Sequence, residues 1–468
     1  MHGGDGRGTG GTGSTGRGGS GGGNSGIGGA SSGTAAAIVE RDFDIGQLTR
    51  VEGEGSLRLR LREGRVVDAR LAIFEAPRYF EQLVVGRRPD DVLDIVARIC
   101  GICPVAYQMS AVHAFEAAFE VEIDPAVRSL RRLLYCGEWI ESHALHVTLL
   151  HAPDFLGLES GIALAALDRP AVERGLALKK TGNEIVALLG GRPIHPVSVR
   201  VGGFSRAPRV RELAALRPAL DAAVDQALAM VDWVAAFPTP DCDEPAHMVA
   251  LHHPTDYPMN EGRIVSSEGI DIAAGDWPST FRETQVEGSN ALQSHTHDGR
   301  PYLVGPASRV TLAGDRLHPL AVEVLARTGL AEEIRTNPFR SIVARAIELV
   351  HAAAEARDIV GDYQPPAEAH VTWSPRPATA SWATEAPRGL LFHEYRIDDR
   401  GRVAWARIVP PTSQNQAAIE AALIGFAPRV LALPEPEAHV CIEQLVRSYD
   451  PCISCATHFL DVSVEREP

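Results

Sequence analysis

The chain has 468 residues and a formal charge of −15 at pH 7, with 45 Lys and Arg against 60 Asp and Glu. That excess of acid favours solubility and argues against nucleic acid as the main partner. The length prior is about three domains and leaves ample chain for a large core. No apolar run reaches the roughly 18 residues needed for a membrane span, and the N-terminus shows no apolar stretch of a signal peptide. The seven cysteines fit a reducing compartment, so the expected location is the cytoplasm.

Residues 1–36 are almost entirely Gly, Ser, Thr and Ala. Such a segment buries nothing and is expected to be a disordered extension. Order is expected from about Ile38. Residues 57–62 alternate Leu and Arg with period two, Glu63-Gly64 makes a turn and residues 66–74 return, which predicts a β-hairpin. Before it runs Arg50-Val51-Glu52-Gly53-Glu54-Gly55. A carboxylate framed by glycines is either a surface ion-pair group or a group drawn into a site. A helical pattern begins at Asp90, carries a first cysteine pair and continues over residues 110–119. Asp124-Pro125 breaks it. Residues 127–150 predict one long buried helix holding Trp139, His143, His146 and His151, with the histidines packed and hydrogen-bonded in a core.

A further helix is predicted over 171–189, stopped by Gly190-Gly191. Residues 207–236 are Ala- and Leu-rich and helical, residues 237–306 irregular with short strands, and helices resume at about 317–327 and 338–356. A hairpin is predicted over 390–408, turned at Asp399-Arg400-Gly401, and a helix over 438–449 that delivers a second cysteine pair. The overall expectation is a mainly helical α+β fold with long buried helices and peripheral β-hairpins.

The two pairs are Cys100-Gly101-Ile102-Cys103 and Cys452-Ile453-Ser454-Cys455. Two thiolates three residues apart can grip one metal ion, and two such pairs make a four-sulfur nest. Zinc, an iron–sulfur cluster and another soft transition metal all fit that nest. Zinc ribbons usually close over about 15–20 residues, and these pairs lie at opposite ends of the chain. A site that takes ligands from both ends must fold as one unit, so residues 37–458 are expected to form a single domain. Cys136, Cys242 and Cys441 read as small buried hydrophobes.

Arg98-Ile99-Cys100-Gly101-Ile102-Cys103 and Asp450-Pro451-Cys452-Ile453-Ser454-Cys455-Ala456-Thr457-His458 resemble the two signature motifs of the large subunit of nickel–iron hydrogenases. Arg50-Val51-Glu52-Gly53, Arg78-Tyr79-Phe80-Glu81, the Gly190–Pro196 stretch with Val201-Gly202-Gly203, Glu385-Ala386-Pro387-Arg388-Gly389 and Pro410-Pro411-Thr412-Ser413-Gln414-Asn415 resemble its other motifs, in the same order. The resemblance runs from about residue 44 to the end.

The resemblance implies the hydrogenase large-subunit fold and reversible heterolytic cleavage of dihydrogen. It makes Cys100 and Cys452 terminal nickel ligands, and Cys103 and Cys455 bridges to an iron that carries carbon monoxide and cyanide. Cys452 would be the first proton acceptor and Glu52 the carboxylate that carries the proton away. Arg388, oriented by Asp450, would stand over the open side of the metals. Pro387 and Thr412 would line the pocket for the diatomic ligands. Glu81 and His458 would ligate a separate hard ion such as magnesium, which suits oxygen-rich sites. Residues 459–468 match a C-terminal peptide that a maturation protease removes.

Three positions depart from many relatives. Tyr107 replaces a histidine, Ser142 an aspartate and Gln414 a tryptophan. They resemble the cytoplasmic branch coupled to NAD(P). Expected partners are therefore an iron–sulfur small subunit, which holds all the iron–sulfur clusters, and flavin and NAD(P) diaphorase subunits. The alternatives are a hydrogen-sensing relative, a related subunit of a membrane complex and a zinc-stabilised structural scaffold.

Overall fold

The computed structural model describes residues 41–62 and 65–457. The extension 1–36, the Glu63-Gly64 turn, His458 and the segment 459–468 lie outside the described residues.

Alternation builds the first sheet. Leu57, Leu59 and Leu61 face inward and are buried, while Arg58 and Arg60 face solvent. The Gly55–Arg62 strand pairs antiparallel with Arg65–Ile73, as the hairpin pattern predicts, and also with a third strand, Arg41–Ile45. Phe43 and Ile45 anchor that strand in the core.

The first cysteine pair does not sit on a helix. The Pro89–Val96 helix ends before it, and the next helix, Pro104–Phe119, starts directly after Cys103. The physical reason is Pro104, which occupies the first helical turn and cannot continue a helix from upstream. Cys103 is left in a non-helical conformation, φ −118° and ψ 41°. Both oxygens of buried Glu138 accept from this second helix's free N–H groups, Val105 N at 2.6 Å and Ala106 N at 3.1 Å.

The long buried helix runs from Pro125 to Leu145, capped at Ala126 N by Asp124, and then widens into a π-helix over His146–His151. The uniform helix expected over 127–150 is therefore interrupted. The extra residue in the turn rotates His146 and His151 toward the C-terminal segment. Arg169–Gly190 packs along this helix through small residues. A Cβ on Gly182 would meet Gly137 O at 2.5 Å, and one on Gly175 would meet Thr148 Oγ1 at 2.1 Å. Arg217–Ala235 and Ser341–Asp362 complete the helical core.

Short antiparallel strands fill residues 249–296, as the irregular pattern there predicts. The hairpin expected over 390–408 belongs to a three-stranded sheet, Ala378–Ala386, Gly389–Ile397 and Val403–Val409, buried against Pro104–Phe119. Pro410-Pro411 opens a long helix, Pro411–Leu431. Glu435–Ser448 then delivers the second cysteine pair. Among the described residues, no helix is long and apolar enough to cross a membrane.

The tight glycine seam sets the distance between the two longest early helices. Gly182→Ala therefore forces a methyl into a closed backbone contact and should cost about 1–3 kcal/mol. A thermal melt should show the lowered midpoint, and an unchanged midpoint would mean the seam opens freely.

Candidate metal centre

The two cysteine pairs reach the site under different constraints. Cys100 and Cys103 sit on the loop that Pro104 and Glu138 fix from the C-terminal side. Cys452 and Cys455 follow the helix that ends at Ser448. A clamp holds this approach. Arg447 grips Asp154 with two hydrogen bonds, 2.8 and 2.9 Å, and the same carboxylate takes Arg50, two residues before Glu52. Arg447 also donates to Thr49 O at 3.0 Å. His146 Nε2 donates to Arg447 O at 2.9 Å, and His151 Nε2 lies 3.3 Å from Ser448 Oγ. Ser341 and Arg345 both donate to Ser448 O. Of the π-helix histidines, His146 thus holds backbone and His151 meets the Ser448 hydroxyl.

The two chain regions then meet directly. Ile453 N donates to Glu52 O at 2.8 Å, and Ser454 N donates to Glu52 Oε2 at 3.1 Å. Cys452 Sγ lies 3.1 Å from Glu52 Oε2, and Thr412 Oγ1 accepts from Cys452 N at 3.0 Å.

All four sulfurs lie within 4.8 Å of one another, and all four residues are buried. Cys100 and Cys452 stand 3.6 Å apart, Cys103 and Cys455 3.8 Å. Hydrogen bonds from Cys103, Cys452 and Cys455 hold the Cys100 thiol well below the usual range. The Cys103 thiol is driven well up, first by its contact with Cys100, and burial does the same to Cys452. Like charges packed this closely oppose one another, so ionising the remaining thiols is favoured by added positive charge. A soft divalent metal supplies that charge to a set of soft donors. Among the described residues this is the only group of three or more Cys, His, Asp or Glu ligand atoms placed to share a metal ion.

Arg388 is buried beside the nest. Its Nε lies 3.0 Å from Asp450 O and 3.1 Å from Asp450 Oδ2. Burial opposes its charge, but Asp450 and the sulfurs of Cys452, Cys103 and Cys100 outweigh that and keep it firmly protonated. Its Nη1 is buried and finds no acceptor among the described residues. An orphaned buried donor next to a metal nest fits a bound group absent from the protein itself.

Of the departing positions, Tyr107 lies beside the nest. Tyr107 is buried, and burial together with the nearby Cys455 and Cys103 sulfurs pushes its phenol well up. Gln414 is buried and bonds Leu390 O and Tyr302 OH. Ser142 is buried, and its Oγ has no partner among the described residues.

Pro387 stands in the turn that carries Arg388. Glu81 lies apart from the nest, half-buried, with Oε1 accepting from Ile408 N at 2.7 Å. Burial raises its carboxyl to about 7. Glu283 is its neighbour, raised to about 8 by burial and by the charge of Glu81. Sequence reasoning missed Glu283, which stands in the irregular region without a motif. It also missed Asp154, Arg447, Arg309 and Glu348, whose partners are far away in sequence.

A buried four-thiolate nest flanked by a carboxylate and a fixed guanidinium defines a protein built to hold a soft metal. Comparison with known proteins identifies which kind. The family model for nickel-dependent hydrogenases matches residues 78–169 and 283–458. The alpha subunit of sulfhydrogenase 2 from Pyrococcus furiosus is 33% identical over 422 residues, covering 89% of this chain and 99% of that one. The beta subunit of the NAD-reducing hydrogenase of Cupriavidus necator is 27% identical over 476 residues, covering 90% and 96%. A crystal structure of an NAD+-reducing [NiFe]-hydrogenase in the H2-reduced state superposes with a TM-score of 0.78 at 28% identity, covering 89% and 99%. The chain belongs to the nickel-dependent hydrogenase family and is the catalytic subunit of a nickel–iron hydrogenase. The four-cysteine nest fits the nickel–iron site of that family.

Oxygen is a harder donor than sulfur and a poor substitute in a soft nest. Cys103→Ser and Cys455→Ser should therefore each lower bound nickel to less than roughly a tenth of wild type. Metal analysis of the purified protein checks this, and nickel retained at full occupancy would show that the nest is not the site.

Proposed function

We propose that this subunit splits dihydrogen with Cys452 as first base and Glu52 as the group that carries the proton outward. The observation behind it is the 3.1 Å contact between Cys452 Sγ and Glu52 Oε2, within the reach a proton transfer needs. Cys100, Cys103, Cys452 and Cys455 would hold a nickel–iron centre, with Cys103 and Cys455 shared by both metals, and that centre would supply the Lewis acidity that polarises dihydrogen. Cys100 and Cys452 would be the terminal nickel ligands.

The protein groups do the rest. Cys452 Sγ takes the proton and passes it to Glu52 Oε2. Ser454 N donates to the same oxygen and keeps it aimed at the sulfur. Thr412 holds Cys452 N, which fixes the sulfur against the carboxylate. Asp450 sets the orientation of Arg388, whose Nη1, without an acceptor among the described residues, would polarise dihydrogen. Pro387 and Thr412 would bound the space of carbon monoxide and cyanide on iron.

A magnesium or similar ion is proposed at Glu81 with His458. Two neighbouring carboxyls raised by burial, Glu81 and Glu283, favour a cation there. The chain also turns toward that place, since Arg78 N donates to Thr457 O at 2.6 Å. Electrons would leave through an iron–sulfur small subunit to flavin and NAD(P) diaphorase subunits. The likeness to the NAD+-reducing structure supports this route, as do Tyr107, Ser142 and Gln414. A thiolate nest of this kind suits the reducing cytoplasm.

Glu52→Gln keeps the size and hydrogen bonding of the side chain but cannot relay a proton. The centre should assemble with near-normal infrared bands for the diatomic ligands. Exchange of dihydrogen with solvent deuterons should fall by roughly a hundredfold or more. Exchange at the wild-type rate would mean that the proton leaves elsewhere. Dihydrogen-dependent reduction of NAD(P) by the native complex, with its subunits identified, tests the proposed acceptor.

Residues 459–468 would be removed by a maturation protease once nickel is loaded, which lets His458 turn inward to the hard-ion site. Intact mass of the active subunit decides this. A chain ending at His458 is expected, and a fully active chain that keeps these residues overturns the processing step.

A further inference from the structure

The turn that carries Arg388 is held from beneath by a second arginine. Arg309 lies on the Pro306–Ala313 helix and is fully buried. A guanidinium has five N–H donors in a fixed fork, and here each finds an acceptor. Nε donates to Glu348 Oε1 at 2.7 Å. Nη2 donates to Glu348 Oε2 at 2.7 Å and to Pro387 O at 3.0 Å. Nη1 donates to Glu385 Oε2 at 2.9 Å and to Ala386 O at 2.9 Å. Three consecutive residues before Arg388 are thus bonded to one side chain.

The surroundings leave the fork no freedom. Its plane lies over the Trp139 ring, 4.3 Å from the centroid. Glu348 is itself fixed by His143 Nε2 at 2.9 Å and Tyr257 OH at 2.6 Å. Glu385 Oε1 accepts from Leu251 N at 2.7 Å, and Trp139 Nε1 donates to Glu385 O at 3.3 Å. On the far side of the turn, Gly389 and Gly305 both have positive φ, 134° and 123°. A Cβ on Gly389 would meet Val304 Cγ2 at 2.5 Å, and one on Gly305 would meet Arg388 O at 2.9 Å. The helix bearing Arg309 and the turn bearing Arg388 are therefore in backbone contact.

We propose that Arg309 is the positioning residue for Arg388: its five-donor fork sets the Ala386-Pro387 backbone so that the second guanidinium stands fixed beside the four-thiolate nest. This rests on the hydrogenase reading and on the part given there to Arg388. Arg309 touches neither metal ligands nor substrate. Its buried charge is balanced by Glu348 and Glu385, so its position is set independently of whether the nest is loaded. Lysine has three donors on a flexible stem and cannot reproduce the fork. Small misplacement of a group at a reacting centre costs up to about a hundredfold in rate.

The test is a double-mutant cycle on the purified native complex, with Arg309→Lys and Arg388→Lys alone and together. Nickel content and the infrared bands of the iron ligands report assembly, and dihydrogen–deuteron exchange reports the chemistry. Arg309→Lys should load nickel and lose at least about tenfold in exchange, with the KM for dihydrogen within about twofold of wild type. In the Arg388→Lys background the same change should cost less than about twofold. Equal losses in both backgrounds, or no loss in the wild type, overturn the proposal. Should Arg309→Lys not load nickel, Tyr257→Phe loosens the same fork by removing one bond to Glu348. It should lower exchange a few-fold in the wild type and not in Arg388→Lys, and any other pattern overturns the proposal. Full exchange in Arg388→Lys alone would instead strike the functional reading, and the proposal would fall with it.

Discussion

Four sulfurs held within 4.8 Å of one another and sealed from water repel as soon as more than one is ionised. Most of what surrounds the site answers that constraint. Arg388 brings a positive charge to the edge of the nest, and Asp450 keeps it from collapsing onto the sulfurs. Thr412 and Glu52 fix Cys452 by its backbone and its sulfur. Glu138 does for the first pair what no cap side chain on Cys103 can do, since that sulfur is committed to the nest. A metal cation would complete a site already under electrostatic tension.

Holding such a site requires buried charge away from it as well. Asp154 joins Arg50 and Arg447, and so couples the loop bearing Glu52 to the segment bearing Cys452. Arg309, Glu348 and Glu385 form a second cluster under the Arg388 turn. Buried ion pairs contribute little net stability once desolvation is counted. Their value here is geometric. Each has a planar guanidinium with its acceptors in fixed directions, and removal of any partner strands a charge without water.

The cysteine pairs were legible because metal chemistry writes its ligands at short fixed spacings. The first hairpin was legible in the alternation of Leu and Arg from 57 to 62. The edge strand Arg41–Ile45 was not, because its apolar signal is only Phe43 and Ile45. Asp90 onward looked like one helix through the cysteines, and Pro104 decided otherwise. The Pro411–Leu431 helix escaped because its first turns are polar. Those side chains serve neighbouring backbone: Gln414 bonds Leu390 O, Asn415 bonds Val304 and Gln416 bonds Leu71 O. The π-turn at His146–His151 and the cluster at Arg309 depend on partners up to about 300 positions away. No local pattern encodes such partners.

The distance between the paired cysteines has a consequence in time. Cys100 and Cys452 are separated by 352 positions. At 5–20 residues per second, synthesis of that interval takes roughly 20–70 s. For that period Cys100 and Cys103 exist without their counterparts, and the loop bearing Glu52 has no Cys452 segment to bridge to. Helices built from local contacts can form meanwhile, but the centre cannot. The nascent chain therefore carries a two-thiol half-site with affinity for stray soft metals. A metal taken up there would meet only two of its four sulfur ligands until Cys452 and Cys455 arrive.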